Sequence, residues 1–338
     1  MKKILFRVFA LSIGIGFAFI SLELFLRINP KFGYIATSYR INTDPSLKNV
    51  LMQRKRHSPL LGFENIPNAN GINSYGLVSK EYKLKKDKNT FRILILGDSI
   101  SEGFDNEFLE NQLNENYFLN LRYNFEIWNG SVGAYDIRRY YLYLKHKGVH
   151  FNPDMFVIFF CLNDFGIDTS VYYVDEKGVV QYCFFTSREL LRKYILNPFL
   201  MRFSYLYRFG ALRLNNYLLH REEKIRGINQ EGEEGRYYLE GIKDICKKNN
   251  LPILTVILPY LKPLSEYKDY EKQQYRDIRR VINDLGINYL DLHKYLPHEE
   301  LYSLRERKED EIHPSREGHR LIAEIIYDYM SDNFFKVN

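Results

Sequence analysis

The 338-residue sequence is poor in cysteine, with only Cys161, Cys183 and Cys246. An odd number without knuckle spacing excludes a disulfide framework and a cysteine-based metal site. No metal and no other cofactor is expected. Cys161 sits inside an apolar run and reads as a small core residue. A dominant charge of one sign is also missing. The chain has 48 basic and 42 acidic residues, a formal +6 spread without long like-charged blocks. That excludes a nucleic-acid partner bound through a basic patch. The densest basic stretch, Arg54-Lys55-Arg56-His57, reads as a solvated linker.

What the chain does have is apolar mass. Hydrophobic residues make up 45% of it, with 28 Tyr and 24 Phe. This is enough to bury one large core or two small ones. The aromatics read first as core packing, and second as lining for a sugar or acyl cleft.

One long apolar run opens the chain. After Lys2, Lys3 and Arg7 it extends from Val8 to Leu26, with Glu23 as its only charge. As a helix it spans about 28 Å, close to the hydrocarbon thickness of a bilayer. Arg27-Ile28-Asn29-Pro30-Lys31 offers no small-residue cleavage site, so residues 1–28 read as an uncleaved, single-pass signal anchor. The basic flank favours an amino terminus left in the cytoplasm, although Arg27, Lys31 and Arg40 add positive charge on the other side. Residues 29–89 are polar and lack periodicity. They read as a spacer that packs on the domain through Gly62–Pro67 and Ile72–Leu77.

From residue 90 to 334 strands and helices alternate. Apolar runs at 91–97, 125–129, 155–161, 254–258 and 287–291 predict five strands. Helices are expected from Glu102 to about Leu121, from Asp136 to Lys147, and near 233–249, 266–284 and 315–333. The alternation predicts an α/β domain whose sheet is mainly parallel and covered on both faces. An insertion at about 168–230 interrupts it, with a β-hairpin expected at 171–182 and an aromatic-rich helical stretch from about 187 to 226. That stretch reads equally as a cap on a cleft, an extra helical layer or a membrane-surface element.

Polar clusters follow three of the strands: Gly97-Asp98-Ser99, Gly130-Ser131-Val132-Gly133 and Leu162-Asn163-Asp164. In a parallel sheet these carboxyl ends share one edge, where ligands bind. Near the carboxyl terminus stands Asp310-Glu311-Ile312-His313-Pro314. An Asp three residues before a His can hold the imidazole in one tautomer, and a His can take a proton from a serine.

Together these blocks resemble the GDSL/SGNH hydrolase superfamily, named for its Ser, Gly, Asn and His blocks. The first block matches in Gly97-Asp98-Ser99-Ile100 with Gly103 following, and the last in Asp310-x-x-His313-Pro314 with Gly318-His319. The third keeps Asn163-Asp164 but has Cys161 where the family usually has glycine. Counting from Asn129, the glycine of the second block falls on Gly133 or, one position later, on Ala134. Its contribution is a backbone N–H, which either residue can supply, and Gly133 is the assignment adopted. The chain also lacks the Gly-x-Ser-x-Gly turn of the other α/β-hydrolase design.

The resemblance implies a three-layer α/β/α, flavodoxin-like SGNH fold with a five-stranded sheet. It implies Ser99 as nucleophile, His313 as base and Asp310 as its orienter. It further implies an oxyanion hole built from the Ser99 and Gly133 N–H groups and the Asn163 side chain. The resulting expectation is an extracytoplasmic serine esterase removing an acyl group, such as acetyl, from a carbohydrate or lipid. An O-acyltransferase acting on cell-surface polysaccharide would use the same triad, and a polysaccharide-binding or assembly scaffold would use only the fold.

Overall fold

The computed structural model describes residues 2–28, 54–165 except 59 and 122, scattered positions between 200 and 214, and 233–335 except 298. The expected hairpin at 171–182 and Cys183 lie outside the described residues, as does most of the expected helical stretch from 187 to 226.

The chain divides into two compact units, Met1–Glu64 with Thr169–Gly227, and Asn65–Asp168 with Ile228–Asn338. In the first, α1 (Lys2–Ile28) is a helix of 27 residues. Its apolar side chains, Phe6, Phe9, Ile13 and Phe17 among them, are exposed along its length. Its lone acid, Glu23, accepts hydrogen bonds from the Ser204 hydroxyl (3.0 Å) and the N–H groups of Tyr205 (2.9 Å) and Leu206 (2.8 Å). Arg27 pairs with it at 2.8 Å. A two-stranded sheet follows, β1 (Lys55–Ser58) and β2 (Gly62–Asn65).

The second unit is built on a five-stranded sheet. In chain order the strands are β3 (Thr90–Leu96), β4 (Asn124–Asn129), β5 (Met155–Cys161), β6 (Ile253–Leu258) and β7 (Asn288–Asp291). Their spatial order is β4-β3-β5-β6-β7, and every pair is parallel. All seven residues of central β5 are buried, as expected of a strand covered on both faces.

The helices are α2 (Ser99–Glu102), α3 (Asn106–Leu121), α4 (Ile137–His146), α5 (Glu233–Lys248), α6 (Asp269–Asp284) and α7 (Arg316–Asn333). Right-handed crossovers put α3 on the face opposite α4, α5 and α6, because the chain reverses direction after β4. In agreement, α3 packs against β4 and α7, while α4 packs against α5. This is the three-layer α/β/α arrangement. The single helix expected from Glu102 is two. Gly103 closes α2, its N–H bonding back to the Ser99 carbonyl, and the Asp105 carboxylate accepts the Phe108 N–H at 3.0 Å to start α3.

The region read as spacer divides. From Asn65 onward it belongs to the α/β unit and covers the β4 edge, with Leu77 fully buried. The Val78 N–H bonds the Asn129 carbonyl at 2.8 Å. Tyr75 and Tyr82 stack on Trp128 at 5.4 and 5.8 Å. Arg92, a charge inside an apolar strand, explains part of this wrapping. Its guanidinium is fully buried, pairs with Glu126 at 2.9 Å and lies 4.0 Å from the Trp128 ring centroid. It also donates to the carbonyls of Lys83 (2.9 Å) and Leu84 (3.1 Å), and so ties the covering segment to the sheet.

Candidate active site

The carboxyl ends of β3 and β5 flank the point where the strand order reverses, which is where an open α/β sheet leaves a crevice. Gly97 makes the turn out of β3 possible. A Cβ there would stand 1.9 Å from Ser101 Oγ and 3.0 Å from Phe159 Cβ. The chain then enters α2 at once, with the buried Asp98 side chain accepting the Ile100 N–H at 2.9 Å. Ser99 is therefore presented half-buried at the first position of a short, capped helix.

His313 meets it from the other end of the sequence. Ser99 Oγ lies 2.8 Å from His313 Nε2. On the far side of the ring, Nδ1 lies 3.0 and 3.1 Å from the two carboxylate oxygens of Asp310. A carboxylate facing Nδ1 selects the tautomer protonated there and leaves Nε2 free to accept the serine proton. Burial works to raise the Asp310 pKa. The N–H groups of His313 and Ile312, together with the His313 ring, outweigh burial and hold the carboxyl below its usual range.

The loop carrying this pair is clamped on both sides. The Glu306 N–H bonds the His313 carbonyl at 2.9 Å, and the Leu261 N–H bonds the Glu311 carbonyl at 2.7 Å. The buried Lys262 ammonium pairs with Glu311 at 2.6 Å and Glu271 at 3.1 Å. Ser315 then caps α7 by accepting the Gly318 N–H at 3.2 Å. A cleft of about 460 Å³ opens beside Asp310, lined by Tyr260, Lys268, Tyr270, Arg307 and Ile312.

Asn163 sits in the turn immediately after β5, one strand from Ser99, and its side chain is exposed. Its neighbour Asp164 shapes that turn from below, accepting the Cys161 N–H at 2.9 Å and the Tyr140 hydroxyl at 2.8 Å. Burial, with the nearby charge of Asp98, pushes the Asp164 carboxyl well above its usual range. Burial likewise pushes Asp98 up to about 6, against the pull of the Ile100 N–H and of His313. His319, from the last sequence block, is driven down to about 4 by burial.

The loop after β4 departs from the expectation. The Val132 N–H bonds the Gly97 carbonyl at 3.2 Å, which sets the loop beside the Ser99 turn. The Gly133 N–H, however, is already engaged. It donates to Glu102 Oε2 at 2.6 Å. A carboxylate acceptor at that distance makes a strong, charge-assisted bond, so Gly133 is a poor oxyanion donor. The next residue, Ala134, has φ 67, a backbone region in which glycine is the ordinary occupant. Among the described residues its N–H has no acceptor. Ala134, the other position reached by counting from Asn129, is thus the neighbouring residue whose N–H is left unbonded among the described residues. Glu102 had no signal in the sequence, where it marks only the start of an expected helix.

Among curated proteins no match is found. Among solved structures, a catalytic mutant of the acetylxylan esterase Axe2 from Geobacillus stearothermophilus aligns at 15% identity, over 70% of this chain and 93% of that one, with a TM-score of 0.43. A lipase/acylhydrolase from Enterococcus faecalis aligns at 16% identity over 72% and 96% of the two chains, also with a TM-score of 0.43. The family model for the GDSL-like lipase/acylhydrolase family matches residues 95–321, a span that runs from inside β3 into α7 and takes in Ser99, Asn163, Asp310 and His313. The chain belongs to the GDSL-like lipase/acylhydrolase family, and its α/β unit is an ester-hydrolase domain.

Proposed function

We propose that the chain is a serine esterase that cleaves an ester, such as an O-acetyl group, on a carbohydrate or lipid. The observation that carries this reading is the unbroken line from Ser99 Oγ through the His313 ring to the Asp310 carboxylate. In it His313 takes the serine proton as Ser99 attacks the ester carbonyl, and then hands that proton to the leaving alcohol. Asp310 steadies the imidazolium formed between the two steps. The acyl-enzyme is resolved by water activated at the same nitrogen. The negative charge on the carbonyl oxygen is met by the Ser99 N–H, the Asn163 side-chain amide and the N–H of Ala134, which takes the place expected for Gly133.

The long apolar helix α1 is read as the membrane anchor, with the α/β unit on the extracytoplasmic side. At 27 residues it exceeds the thickness of a bilayer's hydrocarbon core, and its amino-terminal flank is basic.

Hydrolysis of a short-chain aryl ester by wild type and Ser99→Ala tests the chemistry. At matched folding the variant is expected to lose about 10⁴-fold or more in kcat. Full activity in Ser99→Ala would overturn the reading. The anchor is tested separately by fractionation, where intact full-length protein in the soluble fraction would refute it.

A further inference from the structure

Glu102 is an unusual residue to find where it is. It ends α2, the short helix that begins with Ser99, and it is 8% exposed. One carboxylate oxygen accepts the Gly133 N–H at 2.6 Å, and the other has no partner among the described residues. A buried carboxylate tied to one backbone amide needs a reason, because burying it costs more than one hydrogen bond returns.

The amide it holds belongs to a strained turn. The Tyr135 N–H bonds the Val132 carbonyl at 3.0 Å, which makes Gly133 and Ala134 the two central residues. Ala134 is the third residue of this turn and takes the positive φ that such a turn assigns to glycine. An alanine held there will relax unless its surroundings fix it. Two side chains do so. Glu102 grips the N–H before Ala134, and Arg139 Nη1 lies 3.4 Å from the Ala134 carbonyl oxygen while pairing with Asp136 at 2.9 Å. Glu102 thus anchors the Val132–Gly133 peptide and Arg139 the Ala134–Tyr135 peptide, the two planes that flank the one carrying the Ala134 N–H.

We propose that Glu102 is a positioning residue for the esterase reaction, a carboxylate on the nucleophile's own helix that anchors the Val132–Gly133 peptide and so holds the turn in which the Ala134 N–H faces the oxyanion. Because Ser99 and Glu102 share one helical turn, nucleophile and oxyanion donor are held in register by a single rigid element. This inference rests on the Ser99 esterase reading. It predicts a cost confined to the transition state, since the ground-state ester gains little from that donor.

The test compares Glu102→Met, which keeps the volume and removes the acceptor, with Glu102→Gln, which keeps a neutral acceptor. With an aryl acetate substrate, Glu102→Met is expected to lose about 30-fold in kcat with KM within about threefold, and Glu102→Gln to fall between it and wild type. Affinity for an alkyl boronic acid, a tetrahedral mimic, should drop in parallel with kcat. Wild-type kcat in Glu102→Met, equal losses in both variants, or a loss residing in KM would each overturn the proposal. If Glu102→Met does not fold, Glu102→Gln decides alone. A loss of about threefold or more in kcat at unchanged KM supports it, and wild-type kcat overturns it. Ser99→Ala runs beside them, and activity remaining in that variant would sink the esterase reading itself rather than the role of Glu102.

Discussion

Ser99 Oγ and His313 Nε2 stand 2.8 Å apart although 214 positions separate them in the chain. Ser99 is placed by the end of β3 and the cap from Asp98. His313 is placed by a loop bonded through Leu261 to the segment after β6 and to Glu306 on its other side. The contact therefore exists only when the sheet, the β6 loop and the start of α7 are all formed.

Replacing Asp310 by Asn should test the orienting carboxylate without dismantling its loop. The Asn Oδ1 can still accept the Ile312 and His313 N–H groups, which now lie 3.1 and 3.0 Å from Asp310 Oδ1. An amide facing Nδ1 favours the wrong tautomer and does not stabilise the imidazolium. Aryl ester hydrolysis is expected to fall by about 10⁴-fold in kcat with a thermal midpoint close to wild type. A variant of near wild-type kcat would show that Asp310 is only a structural residue.

Gly97→Ala should be costly although the change is one methyl group. The added Cβ would meet Ser101 Oγ at 1.9 Å, and Phe159 Cβ limits retreat on the other side. Overpacking of this kind costs about 1–3 kcal/mol, readable as a lower denaturation midpoint at unchanged m-value. Because the strain falls on the Ser99 turn, activity of the folded fraction should fall as well.

Ala134 offers a graded test of backbone strain. Ala134→Gly removes the clash that L residues suffer at φ 67 but adds unfolded-state entropy, so stability should stay within about 1 kcal/mol of wild type. Ala134→Val adds a β-branched side chain where it fits poorly and should lose stability by about 1–2 kcal/mol, and kcat with it. Urea denaturation and ester hydrolysis measure both. Equal tolerance of Gly and Val would show that the backbone there is not constrained.

Asp98 makes a pH-dependent contribution to stability with a definite sign. Burial lifts its pKa from 3.8 to about 6 in the folded chain. Between those values the folded state keeps a proton that the unfolded state has released, so this group's contribution weakens as pH rises through the window. Asp98→Asn cannot ionise and can still accept the Ile100 N–H through Oδ1. The melting temperature of Asp98→Asn relative to wild type should therefore climb from pH 4 to pH 7. A difference that stayed flat or declined across that range would contradict the burial argument.

Much of the fold was readable because its signals are local. The apolar run Met155–Cys161 announces a buried strand, Asp136 announces the start of α4, and Gly-Asp-Ser after β3 announces a polar turn at the sheet edge. Each depends on residues within a few positions of one another. The break between α2 and α3 was not readable, because it turns on Asp105 capping a new helix in a stretch of mixed polarity. Arg92 finds its reason in β3 only when partners from three other segments, Glu126, Lys83-Leu84 and Phe151, surround it.

For the site the division is similar. The sequence by itself determined the kinds of chemical group at hand, a serine after a strand, a His preceded by Asp, and an Asn after another strand, because family blocks and strand ends are written in short segments. The tertiary structure decided which groups meet. It joined Ser99 to His313, left Asn163 exposed one strand away, and gave the Gly133 N–H to Glu102, 31 residues back in the chain. A hydrogen bond between two loops depends on angles and distances set by the packed sheet beneath them, and no local pattern of residue types encodes those.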